Sequence, residues 1–171
     1  DTEGLANFSV LSLHKLTPPA MRAILDAGEV ALDGIIGPGH VSAVIGSRAW
    51  EFLPRDYAMP CAVTGFEPLD ILGAVAALVR AVVESNEEQI SVINTYSRSV
   101  RPEGNPTAQR MMRQVFEVKP AAWRGFGTIP ASGLFLRPAF ASYDAAVRFG
   151  SEIDVPPAKE SPGCRCGEVL R

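Results

Sequence analysis

Asp33-Gly-Ile-Ile-Gly-Pro-Gly-His-Val-Ser-Ala-Val-Ile-Gly46 is the stretch on which the fold turns. Two isoleucines, Ile35 and Ile36, form a short apolar run that stops at Gly37-Pro38-Gly39. His40 then opens a second apolar run that Gly46 closes. A strand-like run, a glycine turn and a helix-like run are how a buried parallel strand passes into a helix. The turn lies at the carboxyl end of that strand, the end at which open α/β sheets bind ligands.

The same grammar repeats on both sides. Upstream, Phe8–Leu13 alternates loosely and ends at His14, which predicts a first strand. Thr17 offers a cap oxygen and Pro18-Pro19 suits a first helical turn, where a missing N–H costs nothing. Downstream, a helix over Val41–Ile45 is followed by a short turn at Ala49–Leu53 that Pro54 should stop. Cys61–Thr64 reads as a third strand, and Gly65-Phe66-Glu67-Pro68 leads into a long helix to about Ser85. Ser91–Asn94 reads as a fourth strand, and Asn105-Pro106 opens a helix to about Val115. Strand and helix alternating in this way predict an α/β fold, a parallel sheet flanked by helices in three layers. The expected division is an α/β domain over 1–116 and an irregular extension over 117–171, with one last helix at Pro138–Arg148 and a linker before Cys164.

On this reading the strand ends share one rim: His14, Gly37 to His40, Gly65 to Glu67, and Tyr96 to Arg98. The chain's only two histidines lie there with a glutamate and an arginine. Histidine titrates near neutrality and can donate, accept or ligate, and Glu67 can orient it. His14, His40 and Glu67 are therefore the candidate site residues. Taken singly, each has an ordinary use as a capping or surface group. Arg98, Arg101, Arg124 and Arg137 lie in loops, where they can clamp an acidic group or pair with Glu103 and Asp144. Trp123 is expected to anchor the tail by packing. Gly37-x-Gly39-x-x-Ser42 has Ser42 where the dinucleotide fingerprint needs its third glycine, and no phosphate loop or nucleophile elbow occurs.

Composition narrows the classes. The 171 residues are 47% hydrophobic and 20% charged, with a formal net charge of -3, so no basic field points to nucleic acid or an anionic membrane. The charge-free run Ile71–Val79 is too short to span a bilayer, and a cytoplasmic location is expected. Asp1 in place of Met and the helix-like ending Cys-Gly-Glu-Val-Leu-Arg suggest a segment of something longer. Cys61 falls inside a strand, where a free thiol behaves as a small hydrophobe. Cys164-Arg165-Cys166, set among glycines, suits metal or redox chemistry, yet two thiolates cannot complete a four-ligand centre.

The motifs Pro18-Pro-Ala-Met21, Gly37-Pro-Gly-His-Val-Ser42, Gly65-Phe-Glu-Pro-Leu-Asp-Ile-Leu72 and Tyr96-Ser-Arg-Ser-Val-Arg-Pro-Glu-Gly-Asn-Pro106 occur in order. Trp123-Arg-Gly125, Ser132-Gly-Leu134 and Pro162-Gly-Cys-Arg-Cys-Gly-Glu-Val-Leu-Arg171 follow them. Nearly the whole chain resembles the HypD family of hydrogenase maturation factors. That resemblance implies a scaffold for the Fe(CN)2CO unit of nickel–iron hydrogenases, working with a HypC-type chaperone and a HypE-type cyanide donor. It implies two similar α/β domains facing a cleft, this chain being the second, and a [4Fe–4S] region held by cysteines. By resemblance His14, His40 and Glu67 match motifs on the cleft side, and Cys164 and Cys166 match the first cluster ligands. The family's amino-terminal cysteine motifs are absent, and the remaining cluster cysteines would lie beyond Arg171, so neither the cluster nor the iron-unit chemistry is expected to be complete here. The alternative reading is a small-molecule or nucleotide-binding α/β enzyme domain using the same rim.

Overall fold

The computed structural model describes residues 5–28, 30–84, 90–152 and 163. In chain order the elements are α1 (Thr17–Asp26), β1 (Ile35–Pro38), α2 (Gly39–Ile45), α3 (Phe52–Tyr57), β2 (Cys61–Thr64), α4 (Pro68–Val83), β3 (Val92–Asn94), α5 (Pro106–Val115), β4 (Phe116–Trp123), β5 (Gly127–Leu136) and α6 (Ala145–Phe149). Two compact units emerge, one of Ala31–Met111 and the other of Asp1–Val30 with Met112–Arg171.

The unit of Ala31–Met111 is the α/β fold. Its three-stranded sheet runs β1-β2-β3, with both neighbours parallel. β2 lies in the middle and all four of its residues are buried, which is why Cys61-Ala-Val-Thr64 reads as a continuous apolar run rather than an alternating one. The Cys61 thiol is fully buried, and that burial pushes its pKa up to about 12, so it packs as an inert hydrophobe.

The turn from β1 into α2 is fixed by two tight fits. Gly39 sits so close to the Thr64 carbonyl at the end of β2 that a Cβ there would collide with backbone. Four residues after Pro38, the buried Ser42 hydroxyl donates to the Pro38 carbonyl at 2.8 Å and accepts from Trp50 Nε1–H at 2.8 Å. Ser42 and Trp50 are both fully buried. Ser42 is thus a core hydrogen-bonding residue, which removes the dinucleotide reading of this glycine turn. Pro54 does not stop a helix as expected. It falls in the first turn of α3, where its missing N–H has no intrahelical partner to lose, and the helix runs on to Tyr57.

In the other unit several expectations change. Phe8–Leu13 is not a strand of the parallel sheet. Among the described residues the segment makes one isolated bridge, Val10 to Asp144, and just beyond it Lys15 bridges Gly133. Backbone partners lie far along the sequence: Val10 N–H donates to the Tyr143 carbonyl at 2.7 Å, and the Val10 carbonyl accepts from Ala145 N–H at 2.9 Å. The carbonyl of His14, the next residue after the segment, accepts from Leu134 N–H at 3.1 Å. α1 begins at Thr17 with Leu16 in the capping position and packs on β5. Residues 116–136, expected as irregular pieces, form one antiparallel hairpin of β4 and β5. Pro120 hides it from the sequence: the pairing shifts between Lys119 and Ala121, a bulge that admits a residue with no N–H to give. Trp123, expected to anchor an irregular tail by packing, instead ties this hairpin through a hydrogen bond, its Nε1–H donating to Ser132 Oγ at 2.8 Å. The helix expected over Pro138–Arg148 is split into 3₁₀ turns at Pro138–Tyr143 and then α6, because Asp144 turns extended and caps the new helix through Ala146 N–H at 2.9 Å.

Substitutions at two glycines should move stability in opposite directions. Gly39→Ala should cost about 1–3 kcal/mol through overpacking. Gly73→Ala, in mid-α4 with nothing within 4 Å of the new Cβ, should gain up to about 1 kcal/mol from helix propensity. Urea midpoints of the two variants check both signs. Ser42→Ala leaves the Trp50 N–H and its cavity unpaired and should cost about 1–3 kcal/mol, read by the same titration.

Candidate functional site

The carboxyl ends of β1, β2 and β3 place His40, Glu67 and Arg98 along one rim of the α/β unit. His40 is the second residue of α2 and is exposed. Its ring meets the Phe66 ring edge-on at 4.7 Å between centroids and lies 6.4 Å from that of Tyr96. Neither ring nitrogen has a hydrogen-bond partner among the described residues, so both face outward to a ligand or solvent. Tyr96 is 8% exposed and forms the floor. Its place is set by a tight turn: Tyr96 N–H donates to Asn94 Oδ1 at 3.1 Å, and Asn94 Nδ2–H donates to the Val100 carbonyl at 2.8 Å.

Arg98 lies over the Tyr96 ring, its Cζ 4.3 Å from the centroid, a cation–π contact. From there the guanidinium reaches α4. Nη1 donates to Asp70 Oδ1 at 2.8 Å, Nη2 donates to Asp70 Oδ2, and Nη2 also approaches Glu67 Oε2 at 3.3 Å. Two parallel N–H···O bonds make the Asp70 pair bidentate and geometrically exacting. The Arg98 hydrogen bond, with a further one from Glu67, lowers the Asp70 pKa from 3.8 to about 2. Gly65 lies beneath: a Cβ there would run into the carboxylates of Asp70 and Glu67 and the Tyr96 ring. Arg98 therefore does not pair with Glu103 or Asp144, and Asp70 is the residue that sequence reasoning missed. Its signal was its spacing, since positions 67 and 70 lie three apart at the start of α4 and share a face.

His14 is not on a strand of this sheet. It belongs to the other unit, exposed, with its ring edge-on to Phe116 at 5.2 Å. Ser12 Oγ donates to the Leu134 carbonyl at 2.5 Å and lies 3.0 Å from His14 Nδ1. A hydroxyl has one proton. With that proton on the carbonyl, Ser12 accepts from His14 Nδ1–H, which leaves the lone pair of the neutral ring on Nε2.

The other arginines are put to separate uses. Arg137 Nε–H donates to the Arg113 and Phe116 carbonyls at 2.9 and 3.1 Å, pinning the junction of α5 and β4. Arg101 has no ion-pair partner among the described residues. With Ser97, Arg98, Ser99, Asn105 and Thr107 it lines a polar cavity of about 440 Å³. Among the described residues no three His, Cys, Asp or Glu side chains gather as a metal site. Cys164 and Cys166 lie outside the described residues.

The Asp70 pair has a signed pH consequence. Its folded pKa of about 2 lies below the unfolded 3.8, so its contribution is present above about pH 4 and is lost as pH falls toward 2. Asp70→Asn should flatten the acid limb of stability against pH between 4 and 2, leaving it unchanged in shape above pH 5. Urea midpoints across that range check it.

The family model described as "Hydrogenase formation hypA family", HypD, matches residues 1–171. The hydrogenase maturation factor HypD2 of Bradyrhizobium diazoefficiens is 44% identical over 175 residues, covering 98% of this chain and 44% of that protein. HypD of Cupriavidus necator is 44% identical over 172 residues, covering 96% of this chain and 44% of its own. HypD of Azotobacter vinelandii is 44% identical over 174 residues, covering 98% and 45%. The chain thus spans less than half the length of these relatives. With the whole sequence matched, it belongs to the HypD family of hydrogenase formation proteins.

Proposed function

We propose that the chain is part of a maturation scaffold on which the Fe(CN)2CO unit of a nickel–iron hydrogenase is assembled, with a HypC-type chaperone and a HypE-type cyanide donor as partners. The observation that carries this reading is the rim at the strand ends. An exposed imidazole sits on an aromatic shelf there, beside a guanidinium held rigidly by two carboxylates. Cyanide and carbonyl ligands offer weak acceptors at their outer ends, and fixed N–H donors such as His40 and Arg98 suit them. Glu67, whose side chain is 63% exposed against 12% for Asp70, is the carboxylate of the ion pair that can accept from an incoming donor. His14, which belongs to the other unit, offers a lone pair on Nε2 rather than an N–H. The chain corresponds in this proposal to the family's second α/β domain and the region after it, and works in the cytoplasm. No described helix is long and apolar enough to cross a membrane.

Cys164 and Cys166 would supply two of the thiolates of a [4Fe–4S] cluster, which when bound offers one-electron redox chemistry. Cys61 cannot be a third, since its thiol is buried in the sheet and stays protonated. Two ligands leave the centre incomplete, so anaerobic reconstitution of the 171 residues with iron and sulfide should give well under one cluster per chain. Iron analysis and the absorbance near the thiolate-to-iron bands check that outcome.

A second reading, a small-molecule or nucleotide-binding domain, is favoured by the polar cavity beside Arg98 and Arg101. Extending the chain to the family's full length and measuring infrared cyanide and carbonyl bands after incubation with the HypC-type and HypE-type partners separates the two. His40→Ala and Glu67→Gln should each weaken those bands severalfold without lowering the amount of folded protein. Undiminished bands in both variants, with ATP binding that Arg101→Ala removes, would instead establish the second reading.

A further inference from the structure

α4 carries more apolar surface than its place on the sheet uses. One face packs on β2, and Ala74 is fully buried there. On other faces Leu69, Leu72, Val79 and Val83 are 83, 64, 56 and 78% exposed. With Ala76 these residues fall at 69, 72, 76, 79 and 83, alternating steps of three and four that draw a continuous seam along a helix. Beside the seam, a mainly apolar groove of about 400 Å³ is lined by Leu32, Leu78, Val79, Val82 and Val83, with Asp33 as the ionisable group on its wall. Leu32 and Ile36, just before and within β1, are exposed as well, at 45 and 44%. The only ionisable side chains on α4 are Asp70, tied to Arg98, and Arg80. A helix apolar on nearly all sides is one that packs between two layers, and contiguous exposed apolar surface marks an interaction site.

We propose that the Leu69–Leu72–Val79–Val83 seam and its flanking groove seat an apolar-faced helix supplied by the part of the family polypeptide outside these 171 residues. The occupant follows from two facts. The relatives extend over more than twice this chain's length, which leaves more than half of each unaccounted for by it. The seam itself is apolar, with Asp33 on the groove wall and Arg80 beside it on α4, so what covers it presents an apolar stripe to this face. The inference rests on family membership and is independent of the iron-unit reading, which concerns the opposite chemistry at the strand ends.

Cysteine accessibility tests it. Leu72→Cys and Val79→Cys are placed in the 171-residue chain, and cysteines at the aligned positions are placed in the full-length Cupriavidus necator relative. Initial rates of maleimide labelling are then taken over those of each parent protein. The expected result is rapid labelling in the 171-residue chain and at least tenfold slower labelling in the full-length relative. Equal rates in the two proteins would overturn the proposal, as would protection at both positions in the 171-residue chain while it sediments as a monomer. Sedimentation showing a dimer of the 171-residue chain that Leu72→Glu dissolves, with labelling still rapid in the full-length relative, would assign the seam to a second copy and equally overturn it.

Discussion

The buried relay from Trp50 Nε1–H through Ser42 Oγ to the Pro38 carbonyl holds together the part of the molecule that matters most. A tryptophan N–H and a serine hydroxyl are costly to bury unpaired, so each specifies the position of the other. Together they draw α2 and the turn at Ser47–Trp50 onto the end of β1. Gly39 completes the arrangement by letting the start of α2 approach the Thr64 carbonyl. The loop after β3 is then sewn to the same corner, with Ser47 N–H on the Arg101 carbonyl at 3.2 Å and Asn105 N–H on the Val44 carbonyl at 3.0 Å. A strand end with so many backbone groups satisfied is a rigid platform.

On that platform the side chains divide into held and available groups. Arg98, Asp70 and Glu67 are mutually occupied, and their ion pair is partly exposed, so its contribution is chiefly to geometry rather than to stability. His40 is oriented by rings rather than by hydrogen bonds, which leaves its nitrogens for a ligand. His14 is prepared by a different device, the Ser12 hydroxyl that fixes its Nδ1–H. Two imidazoles that a linear reading groups together are thus set up by unrelated means in separate units.

Much of the α/β unit was legible because its signals are local. Cys61–Thr64 is a short apolar run bounded by Pro60 and Gly65, and the strand has those bounds. Asn105-Pro106 announces α5, and Asn105 Oδ1 does accept from Ala108 N–H at 3.0 Å. The pairing of Arg98 with Asp70, 28 residues earlier, was not legible, because it depends on two parallel strands lying side by side. Nor was the β4–β5 hairpin, whose prolines and glycines mimic a loop unless the bulge between Lys119 and Ala121 is known.

The amino-acid sequence by itself determined the family, the parallel α/β alternation and the glycine turn at the strand end. Each of these is written in contiguous residues whose backbone preferences and periodicity act over a few positions. Only the tertiary structure decided that Phe8–Leu13 leaves the sheet, that Ser42 serves the core, and that Leu69, Leu72, Val79 and Val83 of α4 stay exposed. Those outcomes turn on which distant backbone groups and apolar faces find partners, and short-range propensity carries no record of such long-range competition.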